Sequence, residues 1–537
     1  MGVPEPTHCP DCRAQRRIAF RNERNLYPAT CGLCKKSIVS IFSPDKPYTV
    51  YCYDCWYSDK WNPLQYGREF DFSRPFFEQF AELQKAVPQL YAFAVNNQNS
   101  IYTNGSQGNK DCYLLFVSDH NENTHYSYSV YDCKDVFDSI NCKKCQMSYE
   151  LSGCSDCYQC FYSIDCHNCN DVYFSVDLSG CSNCFGCWNL RKKEYCWFNE
   201  QLTREEYEKR LAEIDLGSHV KVQEFLDKRR DILPKVVYRY YHGINNQGSL
   251  GDYLQQTKNA KMCFESNNIE DCAYVTHGNH AKNCYDGYVV VDNCELAYEA
   301  IGSMTLYNVR SAIAFYGGSD ASYCAFMKSC ENVFGCVGLR QAKYCILNKQ
   351  YTKEEYEALL PRIVQHMKQG GEWGEFFPVA ISPFAYNETA AFEYYPVEKE
   401  EVLRRGWKWK DDIGGTVGKE TLSAADMPEN IRDASDDVVR EVLACASCQR
   451  NFKITKQELD FYRLHTLPLP RKCFNCRHLD RLTMRNPRQL WQRSCMCAVA
   501  GHTEHAGAVC TRQFATSYGP ERPETVWCEE CYRREIA

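Results

Sequence analysis

Thirty-six cysteines stand in this chain of 537 residues, and many fall in C-x-x-C pairs: Cys9/Cys12, Cys31/Cys34, Cys52/Cys55, Cys445/Cys448, Cys473/Cys476 and Cys528/Cys531. Two thiolates three positions apart on a tight turn can hold one tetrahedral ion, whereas a disulfide between them closes a strained small ring. The chemistry expected is therefore thiolate coordination of zinc. Cys445-x2-Cys448-x24-Cys473-x2-Cys476 supplies a complete four-sulfur site. Cys31, Cys34, Cys52 and Cys55 supply a second. A third needs Cys510, Cys528 and Cys531 plus Cys495 or Cys497; Cys497 is taken as the ligand, with Cys495, His502, His505, Cys9 and Cys12 as further candidates. Three Zn2+ ions are expected, with room for more.

Other chemistry is weakly represented. The run HTEH, from His502 to His505, spaces its histidines at i, i+3 and not at the i, i+4 of a metalloprotease helix, so it reads as an insertion loop lending a ligand. Cys154-x2-Cys157-x2-Cys160 and Cys181-x2-Cys184-x2-Cys187 match three ligands of a ferredoxin run without its C-x3-C-P ending. They keep an iron–sulfur or thiol-based redox protein as the alternative reading. No Ser–His–Asp set, P-loop or dinucleotide fingerprint is present, and no catalytic residue or small-molecule substrate is assigned.

The elements that must position these thiols come in duplicate. Shifted by 464 positions, the N-terminus lands on the C-terminal region: Cys9, Cys12, Arg13, Arg17, Arg21, Arg24 and Cys31 meet Cys473, Cys476, Arg477, Arg481, Arg485, Arg488 and Cys495. Ser43–Trp56 then pairs with Gly519–Tyr532 after a 12-residue insertion in the C-terminal copy. The counterpart of Cys445/Cys448 would lie before Met1, so Cys9 and Cys12 are expected to be half a site. Between these modules cysteines recur at 21 residues (Cys112, Cys133, Cys154; Cys145, Cys166, Cys187), in strand-like text punctuated by Gly, Asn and Asp. A period of 21 predicts one coil of a parallel β-solenoid per repeat, its thiols stacked as a buried ladder. Phe185–Leu211 matches Phe334–Leu360 at a shift of 149, so there are two such blocks. Each ends in a capping box, Thr203-x-x-Glu206 and Thr352-x-x-Glu355, opening a helix expected to cover the open coil.

The fold class expected is mainly β: tandem parallel β-solenoid blocks with capping helices, flanked by treble-clef or zinc-ribbon-like modules. The divisions are 1–62 (N-terminal zinc module), 63–100 (helix and linker), 101–200 (block 1), 201–251 (capping helix and linker), 252–350 (block 2), 351–443 (capping helix and acidic linker, with a short helix) and 444–537 (C-terminal two-site module). The segment Cys445–Arg477, with Phe452, Glu458, Phe461-Tyr462, Pro470 and C-x2-C-R, resembles a small bacterial zinc-ribbon domain. Through CPDCRAQRR, YNETAAFEYYP and LPLPRKCFNCRHLDR, the chain is similar to a group of cysteine-rich zinc-ribbon proteins of small-genome candidate-phyla bacteria. That resemblance implies zinc and no particular activity.

Charge completes the picture. The net charge is −7, yet Arg13–Lys36 and Arg471–Arg493 hold one acid each, Glu23 and Asp480. Arg13, Arg17, Arg21 and Arg24, and likewise Arg477, Arg481, Arg485 and Arg488, fall at helical steps; the first reading is solvated helices pairing with acids of their own chain, and the alternative is basic faces for RNA or an acidic partner. Mean hydropathy of −0.54 and the lack of an 18-residue apolar run predict no membrane span. The start shows no signal-peptide pattern, which with the thiols predicts a cytoplasmic protein. The function expected is a zinc-binding, non-enzymatic scaffold for a macromolecule, protein ahead of RNA.

Overall fold

The computed structural model describes residues 1–499, 502, 505 and 509–536. Parallel β pairing dominates it. In the first block the chain lies over itself every twelve residues: Phe116 pairs with Tyr128, then in turn Ile140, Ser152, Ile164, Val176 and Trp188. Within each turn every third residue takes a left-handed conformation, as at Asp135 (φ 54°), Asp138 (49°), Asn141 (53°) and Lys144 (54°). Four such bends in twelve residues return the chain to its starting column. Asn and Asp recur there because they tolerate positive φ better than most residues do.

The expected 21-residue coil is therefore corrected to twelve. Twenty-one is one full turn plus three triplets, a diagonal step between columns. Cys133, Cys142, Cys145, Cys154, Cys157, Cys160, Cys166 and Cys169 each directly follow a bend, and all are buried. The ring is narrow, and its interior takes Cys, Ser, Val and Leu such as Leu115, Leu151 and Leu178; a thiol fits while still donating a hydrogen bond. Cys157 Sγ donates to the carbonyl of Cys166 at 3.2 Å, and Cys187 Sγ to that of Cys196 at 3.3 Å. Cys133, Cys145, Cys157, Cys169 and Cys181 form one twelve-residue column. Asparagines continue it below: the Asn109 and Asn121 side-chain oxygens accept from the backbone N–H of Asn121 and Cys133, each at 2.9 Å.

The second block keeps the same frame (Lys261, Ala273 and Tyr285 in register) with an eleven-residue step at Leu250 and a thirteen-residue step from Ala281 to Cys294. Its strands Lys261–Glu270, Ala273–Thr276, Asn279–Lys282 and Tyr285–Phe334 pair in a closed ring. Both blocks finish alike. Asn199 and Asn348 each pair with the backbone of the preceding turn, at Trp188 and Val337, and a two-residue strand then folds back antiparallel. The helices Arg204–Ala212 and Lys353–Gln369 follow, each with its capping box formed. Tyr207 meets Trp197, and Tyr356 meets Tyr344.

The terminal modules sit against both stacks. Val237–Arg239, between the blocks, pairs with Thr525–Trp527. Tyr128 and Tyr288, one from each block, bring their hydroxyls within 3.2 Å and both donate to Glu23. The acidic segment before the C-terminal module forms 3₁₀ turns at Ile431–Asp433 and Asp436–Val439 in place of the expected short helix. Met427, Ile431 and Val438 are buried there against Leu459, Phe461 and Tyr462.

The arginine rows pair with acids of their own chain, buried where solvated helices were expected. They are the buried faces of their segments, not exposed basic surfaces. Arg13 and Arg17 bond Asp286 at 2.9 and 3.0 Å, Arg16 bonds Glu299 at 3.1 Å, and Arg24 bonds Glu393 at 2.6 Å. Arg21 pairs with Glu23 at 2.9 Å. Arg477 and Arg481 share Asp138 at 2.6 and 3.1 Å, and Arg485 and Arg488 share Glu265. A guanidinium taken out of water needs a carboxylate beside it; the stacks supply it except at Arg21, which uses Glu23 of its own segment, and Arg24, which uses Glu393 beyond the second stack. Arg13, Arg17, Arg21, Arg24, Arg477, Arg481, Arg485 and Arg488 are thus withdrawn as nucleic-acid contacts.

Candidate metal centres

Three groups of four cysteines share one local design. A short hairpin presents the first pair in its turn, and the second pair opens a helix as its N-cap and third residue. In the N-terminal module the hairpin is Tyr27–Thr30 with Ser37–Ser40, carrying Cys31 and Cys34, and Cys52 caps Tyr53–Trp56. In the C-terminal module Leu443–Ala444 pairs with Asn451–Phe452 around Cys445 and Cys448, and Cys473 caps Phe474–Thr483. Trp491–Ser494 pairs with Gln513–Thr516 beside Cys495 and Cys510, and Cys528 caps Glu529–Glu535.

In every group the capping cysteine donates its backbone N–H to the first sulfur of the hairpin. Cys52 reaches Cys31 at 3.3 Å, Cys473 reaches Cys445 at 3.2 Å and Cys528 reaches Cys495 at 3.2 Å. Such bonds favour the thiolate. Burial raises the Cys31 thiol, but N–H groups of Cys52, Cys34 and Leu33 outweigh it and bring the group down to about 6. Cys445 is brought to about 7 in the same way, against its own burial, by Cys448, Cys473 and Ser447. Sulfurs about 2.3 Å from a tetrahedral zinc lie about 3.8 Å apart. Cys34 and Cys52 stand at 3.8 Å, and Cys448 and Cys473 at 3.7 Å.

Among the described residues four groups can hold a metal ion: Cys31/Cys34/Cys52/Cys55, Cys445/Cys448/Cys473/Cys476, Cys495/Cys510/Cys528/Cys531, and Cys497/His502/His505/Cys531. The open choice of a fourth ligand for Cys510, Cys528 and Cys531 thus falls on Cys495, while Cys497 turns to the two histidines. Thr503 and Glu504, between those histidines, lie outside the described residues. Among the described residues Cys9 and Cys12 belong to no group of three or more ligands. Both are exposed, and Cys9 caps the helix Pro10–Ile18, where the N–H of Cys12 lowers its thiol. Neither Cys154/Cys157/Cys160 nor Cys181/Cys184/Cys187 forms a ligand group among the described residues; their sulfurs donate to backbone carbonyls of the stack.

One participant has no signal in the sequence. The Glu535 carboxylate bonds His502 Nε2 at 2.9 Å from 33 residues away, and no spacing announces it. The acids holding the arginines do leave a trace: Asp138 and Glu150 are twelve apart, in one column of bends, but that is visible only once the twelve-residue frame is known.

The chain matches no family model and no curated protein. Among solved structures it is similar to one described as an acetyltransferase from Desulfovibrio desulfuricans G20, at 10% identity, covering 49% of this chain and 69% of that one. The TM-score of 0.12 gives that likeness no weight. Within the described residues, no helix is long and apolar enough to cross a membrane.

Proposed function

We propose that the protein is a zinc-binding, non-enzymatic scaffold: two β-solenoids, each closed at one end by its helix, clamped together by metal-built modules and offering their outer surface to a protein partner. The observation that carries this reading is the repeated four-thiolate group whose third ligand is also a helix N-cap. A closed four-sulfur set suits structural zinc and leaves no coordination position for substrate. Cys473 opens the helix that bears Arg477 and Arg481, and those arginines hold Asp138 of the first stack. An ion there fixes the start of the helix, and the helix fixes the stack. With the arginines turned inward, protein is favoured over RNA. The outer rungs carry exposed alternating charge, such as Lys110–Glu122–Lys134 and Lys258–Glu270–Lys282, alongside Tyr158, Tyr285 and Tyr307. The thiol load suits a reducing compartment such as the cytoplasm.

Metal analysis of the full chain, followed by chelation, tests this reading. Zinc is expected in a colourless protein. Its removal should loosen residues 1–60 and 444–536 to protease and expand the particle in solution scattering while far-UV strand signal persists. A metal-free protein with the same compactness, or loss of the strand signal together with the ends, would overturn it.

A further inference from the structure

We propose that the last cysteine site of the C-terminal module, at Cys495, Cys510, Cys528 and Cys531, holds not one but two adjacent metal ions, bridged by the thiolate of Cys531; this rests on the reading that the terminal cysteine groups are metal sites. Cys531 belongs at once to the four-sulfur set with Cys495, Cys510 and Cys528 and to the set with Cys497, His502 and His505. Two tetrahedra sharing one vertex need seven ligands, and these residues are seven.

The duplication shows where the second set came from. Cys31, Cys34, Cys52 and Cys55 occupy the same hairpin and helix positions as Cys495, Cys510, Cys528 and Cys531. The N-terminal hairpin turn joins its first two ligands directly. The C-terminal copy inserts twelve residues at that point, and the longer connection carries Cys497, His502 and His505. The insertion thus brings three new donors to the edge of an existing site.

The second set is built as a coordination sphere. His502 is 2% exposed, and its Nε2 is held by the Glu535 carboxylate at 2.9 Å. That bond places the ring proton on Nε2 and leaves the Nδ1 lone pair facing inward, the arrangement of a metal-bound imidazole with a carboxylate behind it. Nδ1 lies 3.7 Å from Cys497 Sγ and 3.0 Å from His505 Nε2, which is itself 3.7 Å from Cys531 Sγ. A sulfur and a nitrogen bound to one tetrahedral zinc would stand about 3.5 Å apart. Charge is compatible with a second ion: with neutral imidazoles, two divalent ions on five thiolates leave a net charge of minus one.

The test is the metal count of the intact chain loaded with zinc, read by native mass spectrometry. Four ions are expected in the wild type, and three in both H502A/H505A and C497S, with compactness retained. Three ions in the wild type would overturn the second site while leaving the scaffold reading intact; none would defeat the scaffold reading itself. Cobalt(II) loading tests the bridge. Exchange through a shared sulfur should make the wild-type paramagnetic signal smaller than that of four independent ions, and H502A/H505A should recover the full signal of three. Four ions with a fully additive signal would refute the bridge.

Discussion

Replacing Asp138 by Asn removes one charge from the place where the C-terminal module grips the first stack. The Asp138 side chain is fully buried, and it accepts Arg477 at 2.6 Å and Arg481 at 3.1 Å, whose side chains are 6% and 0% exposed. Breaking a buried ion pair from one side costs about 3–5 kcal/mol, because the surviving charge stays out of water. Arg481 retains Glu150 at 3.0 Å and Arg477 retains Glu458 at 3.4 Å, so the loss is partial and the lower end applies, about 3 kcal/mol. Hydrogen exchange over Phe474–Thr483 measures the opening of that contact, and 3 kcal/mol corresponds to about a 150-fold rise in its opening constant. Glu122→Gln is the control. It sits between Lys110 and Lys134 on the outer surface, where solvent screens both pairs, and its effect should stay within about 0.5 kcal/mol. If D138N changes exchange no more than E122Q does, the buried arginines are not what joins module to stack.

Burial brings the His125 imidazole, stacked on Phe137, down to about 4, so the folded state refuses a proton that the unfolded chain accepts. Stability should therefore fall as pH drops from about 6.5 to 4, and His125→Phe should flatten that dependence by one proton in urea melts; an unchanged slope would contradict the assignment. Thr203→Ala and Thr352→Ala each remove one side of a formed capping box, and each should cost about 1 kcal/mol in thermal melts. Unequal losses would mean that the two copies no longer use their helices alike.

The thiol pairs were legible as metal sites because each pair lies within one turn of chain, where spacing alone sets geometry. Cys495 and Cys497 were not separable, because both lie at the mouth of the hairpin and only the fold of the insertion divides them. Two stacked blocks were legible from the repeated text around Phe185 and Phe334. The rung length was not, because the cysteines report the three-residue bend and not the turn: a thiol can occupy any of four columns, and 21 and 12 are both multiples of three. Arginines at helical spacing were plain to see, but which way they faced depended on Asp138, Glu265 and Asp286, acids on separate rungs far from them in the chain.

The arginine segments are measured against the stacks by two unequal rulers. Successive rungs lie about 4.8 Å apart, while four residues of helix advance about 6 Å. The two scales slip by about 1.2 Å at each step, so a straight helix can meet a column of acids for only about two rungs before its guanidinium groups fall between them. Arg477 and Arg481 reach Asp138 and Glu150, and there the match ends. The helix stops at Thr483, and Arg485 and Arg488 go to Glu265 on the other block. A longer helix along one stack would gain no further partners, whereas a short one frees the chain after it to cross to the other stack. On this scale the mismatch in repeat makes each end module a connector between the two stacks and not an extension of either.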